Sequence, residues 1–75
     1  MTTLDRLTVG QSGIIEDVGG DPAVVQRLGE FGLFDGERVE MVGSAPFGDP
    51  IEIKIGHSRI SLRKAEAVGV RVRPD

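Results

Sequence analysis

Cysteine, tyrosine and tryptophan are absent from this sequence, and histidine occurs once. Without cysteine, neither a disulfide framework nor a thiolate metal cage can form, so a reducing compartment is expected and the apolar core must carry the fold. With one histidine, Cys/His catalysis is excluded and any Ser/His/Asp arrangement rests on His57, next to Ser58 in a turn with no neighbouring carboxylate to orient it. No catalytic residue is therefore assigned, and the chain reads as a non-enzyme. The three Phe are scattered and the pI is near 5.0, which argues against a base-stacking surface for nucleic acid. The missing Tyr and Trp also remove the aromatic lining that proline-rich peptides need. No G-x-x-x-x-G-K-[ST] phosphate loop occurs. No apolar run approaches the roughly 18 residues of a membrane span, and Met1 to Arg6 lacks a basic, apolar leader. A cytoplasmic protein without direct membrane insertion is expected.

What is present fits one domain over residues 1–75, short enough to bury only about 60% of its unfolded surface. Charge is uneven within a net −3: residues 1–53 hold three Arg against ten acids, and residues 54–75 hold six Lys or Arg against two. That basic segment reads either as a solvated strand face whose arginines meet acids on neighbouring strands, or as an interaction patch.

Ser12 to Val18, rich in β-branched residues and closed by Gly19-Gly20, reads as a first strand. A helix follows, with Asp21 as N-cap, Pro22 at the first position and Gly32 as a left-handed stop. Val24, Val25, Leu28 and Phe31 share its apolar face, and Gly29 is expected at a close-packing site. Leu33-Phe34-Asp35-Gly36 signals a turn into a strand over Glu37 to Gly43, with Val39 and Met41 on one side. Pro50 to Ile55 carries the clearest period of two, with Ile51, Ile53 and Ile55 opposite Glu52 and Lys54. Gly56-His57-Ser58 turns the chain into Arg59 to Leu62. After a single turn at Lys64 to Ala67, the last strand runs from Gly69 to Arg73. The fold class expected is mainly β with one short helix, as a small SH3-like five-stranded barrel.

Ala45-Pro46-Phe47-Gly48-Asp49-Pro50 joins two strands and offers an aromatic ring at its tip. Two readings stand: Phe47 folds back as a lid over a barrel end, or it remains outside as a contact. For a divalent metal, only His57 with Asp49 or Glu52 suggests itself, so no metal site and no cofactor is assigned.

Three stretches together resemble the FeoA family: Arg27-Leu28-Gly29-Glu30-Phe31-Gly32-Leu33, the Ala45 to Ile51 loop, and Ile60 to Ala67 leading to Val70 and Val72. Leu4-x-x-Leu7-x-x-Gly10-x-x-Gly13 also matches. Asp35-Gly36 departs from the family's common Pro-Gly, and Gly29 stands where a larger apolar residue is frequent. The resemblance implies an SH3-like barrel and a regulatory role in ferrous-iron transport, on the cytosolic side of an FeoB-type permease that carries a GTP-binding domain. It implies kinship with the C-terminal SH3-like domain of iron- and manganese-dependent repressors, without their winged helix. The expected partner is that permease, met at its GTP-binding domain or a membrane-proximal surface, through Phe47, Gly48 and Asp49 of the loop and Arg27 and Glu30 of the helix. The alternatives are a metal-sensing switch near His57 and Asp49, or a self-associating module forming homo-oligomers.

Overall fold

In the computed structural model, which describes residues 1–75, the chain runs as β1 (Thr2–Thr3), a 3-10 turn (Leu4–Arg6), β2 (Ser12–Val18), α1 (Pro22–Glu30), β3 (Arg38–Ser44), β4 (Ile51–Ile55), β5 (Ser58–Leu62), α2 (Lys64–Ala67) and β6 (Val70–Pro74). The strands form one antiparallel sheet in the order β1-β6-β2-β3-β4-β5. Six strands thus replace the five expected, because Thr2 and Thr3 pair with Val72 and Arg71. Two residues are too few to display a side-chain period. The order is linear, so β1 and β5 are sheet edges with no ladder between them.

Local chemistry explains most boundaries. The Asp21 carboxylate accepts from the Ala23 N–H at 2.8 Å, and Pro22 occupies the first helical position, where its missing N–H removes no hydrogen bond. At the far end, Gly32 (φ 96°) turns left-handed while its N–H donates to the Gly29 carbonyl and the Leu33 N–H donates to the Leu28 carbonyl, both at 3.0 Å. This paired closure swings Leu33 onto Leu28 and into the core. Phe31, expected on the apolar face, is instead 45% exposed. The helical period ends at Glu30, and Leu33 fills the position that the spacing assigned to Phe31.

The core comprises fifteen buried apolar residues, among them Ile51, Ile53 and Ile55 from β4, Val70 and Val72 from β6, and Leu4 and Leu7 from the N-terminal segment. The Leu4, Leu7, Gly10, Gly13 spacing gains a physical meaning here. Both leucines are core, Gly10 has φ 94°, and a Cβ at Gly13 would lie 2.5 Å from the Arg73 carbonyl of β6. Register shifts in β2 between Ile15 and Asp17, and in β3 between Met41 and Gly43, mark bulges of the kind that sharpen sheet curvature.

Candidate functional site

The Ala45–Pro50 loop is held at both ends. The Ala45 N–H donates to the Pro50 carbonyl at 2.9 Å, closing its base on β3 and β4, and the Gly48 N–H donates to the Ala45 carbonyl at 2.7 Å, forming a tight turn. Pro46 and Phe47 are the central residues of that turn, and Gly48 (φ 86°) supplies the conformation that a Cβ would strain. The turn projects the Phe47 ring outward at 99% exposure. It does not fold back as a lid.

Asp49 points the other way and fixes the loop to the next element. Its Oδ1 accepts from the Lys64 N–H at 3.0 Å, at the start of α2, and the Lys64 Nζ lies 3.3 Å from where a Gly48 Cβ would be. Within α2, Glu66 accepts from the Arg63 N–H at 3.0 Å through Oε1 and pairs with Arg27 of α1 through Oε2. Loop tip, α2 and the Arg27 face of α1 therefore form one continuous chain of contacts. Arg27 keeps 47% of its side chain exposed while making that internal pair.

Beside the loop, Asp5, Leu7, Thr8, Val9, Met41 and Lys64 help to line an open cleft of about 230 Å³. That is smaller than the roughly 300 Å³ at which small-molecule pockets begin. Its apolar floor next to a projecting ring suits contact with another protein's side chains.

Other expected contacts lie elsewhere. Glu30 lines a separate groove with Phe31 and β5. His57 is exposed in the β4–β5 turn, whereas Asp49 precedes β4, so the two are separated by the length of that strand, about 17 Å. They cannot share one ion, and no three His or acidic groups gather in a metal-binding arrangement. The basic segment divides: Arg71 pairs with Asp17 at 2.9 Å and Arg59 with Glu52 at 3.6 Å, each across neighbouring strands, while Lys64 stays beside the loop. Sequence reasoning missed the bracing role of α2. Its signal was Glu66, three residues after Arg63, where a helix-start glutamate can reach back to a free N–H.

A small, mainly β sheet with short helices and a braced, outward-pointing loop defines an SH3-like domain. The FeoA domain family matches residues 2–74, and the chain belongs to that family. A fusion of Fe(2+) transport protein A with the Fe(2+) transporter FeoB, from Porphyromonas gingivalis, is 30% identical over 69 residues, which are 92% of this chain and 8% of the fusion protein. The zinc complex of Stenotrophomonas maltophilia FeoA, described as a procaryotic SH3 domain protein, superposes with a TM-score of 0.82 at 35% identity, over 97% of this chain and 91% of that one. Iron(II) transport protein A from Clostridium thermocellum gives 0.89 at 38% identity, over 95% and 44%. A manganese-dependent transcriptional repressor shares the fold, with a TM-score of 0.87 at 18% identity over 96% of this chain and 35% of that one. The family belongs to ferrous-iron transport, and no helix of this chain is long and apolar enough to cross a membrane.

Proposed function

We propose that this chain is a non-enzymatic, cytosolic regulatory module that docks on an FeoB-type ferrous-iron permease, with Phe47 as its apolar anchor. The observation that carries this reading is the near-complete exposure of Phe47 on a loop tied to β3, β4 and α2. An aromatic ring in water on a flexible loop would lose much of its contact energy to ordering. Here the loop is already ordered, so burying the ring in a partner pocket adds affinity with little of that loss. The existence of a relative fused to FeoB supports the partner, since fusion holds two domains at the high effective concentration that a weak docking contact needs.

Calorimetric titration against the permease's GTP-binding domain, with and without GTP, tests the proposal. A parallel titration against the full permease in lipid nanodiscs covers a membrane-proximal site. Saturable binding is expected, weakened about 30-fold by Phe47→Ala, the equivalent of about 2 kcal/mol for a buried anchor. Because the ring makes no core contribution, the melting temperature should not move. Absence of binding in every arm, or equal binding by Phe47→Ala, overturns the reading.

A further inference from the structure

The two sheet edges differ. β1 offers two residues, whereas β5 spans Ser58–Leu62 and has a partner on one side only. Ile55 pairs with Ser58 across the two-residue Gly56-His57 turn, with Gly56 at φ 57°, so the hydrogen-bonded positions of the β4–β5 ladder are Ser58, Ile60 and Leu62. The N–H and C=O groups of Arg59 and Ser61 consequently point away from the sheet. None of the backbone hydrogen bonds made outside the helices and ladders involves either residue. An open groove of about 420 Å³, lined by Glu30, Phe31 and Ser58 to Ser61, runs along this edge. No proline or inward-facing charge blunts the strand, as edges left permanently unpaired often require.

We infer that β5 is a self-association edge, and that its occupant is β5 of a second copy of this chain. The two outward sets of groups lie two residues apart, so an antiparallel copy centred on Ile60 satisfies all of them, with Arg59 bonded to Ser61 of the other copy and Ser61 to its Arg59. The same register suits the charges. On the outer face Lys54 lies opposite Arg59 and Glu52 opposite Ser61. Continuing each row across the two-fold axis therefore runs from Lys54 and Arg59 to the second copy's Ser61 and Glu52, positive toward negative, and the joint between the copies opposes no like charges directly. Phe31, 45% exposed in the groove, adds apolar surface beside the joint. So short a ladder makes a weak, reversible dimer. The inference rests on strand register and is independent of permease docking.

Sedimentation velocity of the whole chain from about 10 μM to about 1 mM, with proton–nitrogen NMR across the same range, tests it. The expected result is a concentration-dependent shift from monomer to dimer mass, with the Arg59 and Ser61 amides moving most. Ser61→Lys places a cation opposite Arg59 twice by symmetry and should weaken the dimer roughly tenfold, while Ser61→Glu should tighten it by a similar factor. Within the monomer the effects reverse, because position 61 faces Glu52: Ser61→Lys gains a partner and Ser61→Glu a repulsion. Opposite signs for folding and association identify this register, and thermal melts of dilute samples verify that both variants fold. A constant monomer mass for the wild type and Ser61→Glu, or a dimer indifferent to position 61, overturns the inference.

Discussion

At the scale of single residues, glycines show how sharply this small core is specified. A Cβ at Gly13 would stand 2.5 Å from the Arg73 carbonyl, and one at Gly69 would stand 2.3 Å from the Gly19 carbonyl. Both obstacles are backbone in the sheet or its adjoining turn, which cannot yield as a side chain can. Either Gly→Ala change should cost about 2 kcal/mol or more, measured by urea unfolding. Gly29 contrasts with them. Its added Cβ would meet only the half-exposed ring of Phe34 at 3.4 Å, within a helix where glycine is disfavoured. Gly29→Ala should therefore stabilise by up to about 1 kcal/mol. The close-packing site expected at Gly29 is not found: its one near neighbour, Phe34, reaches it from beyond the helix stop and leaves room for a Cβ.

Among the elements, β4 and the start of α1 could be read directly. Strict alternation from Ile51 to Ile55 and the Asp21-Pro22 pair each carry their own local cause. β1 and α2 are made by their surroundings: Thr2 and Thr3 become a strand only because β6 lies beside them, and α2 is held by Asp49 and Glu66. Tertiary contacts leave little trace in a local pattern. The candidate site was half legible for the same reason. Proline, glycine and phenylalanine announced the loop, while the brace from Asp49 to Lys64 joins residues fifteen apart. Asp49→Ala removes that brace, and should lower stability by about 1 kcal/mol in a thermal melt while raising the exchange rate of the Lys64 amide. Under the docking proposed above, affinity for the permease should fall as well, since an untied loop must be ordered on contact.

For the whole molecule, fifteen buried apolar residues form one cluster, and Leu4 within it is completely buried. Leu4→Ala should cost about 2–5 kcal/mol, against a total of only about 5 kcal/mol for a domain of this size. Denaturant titration should then show a population already unfolded in buffer. The same margin explains why no element of the fold stands alone, and the sheet order adds a temporal aspect. β6, the last strand in sequence, lies between β1 and β2, two of the first, with Thr2 paired to Val72. During synthesis the early strands must wait without their shared neighbour, and the sheet is completed only when residues 70–74 have left the ribosome. Folding of this domain thus waits on β6, and is governed by the slow meeting of distant segments rather than by the order in which they are made.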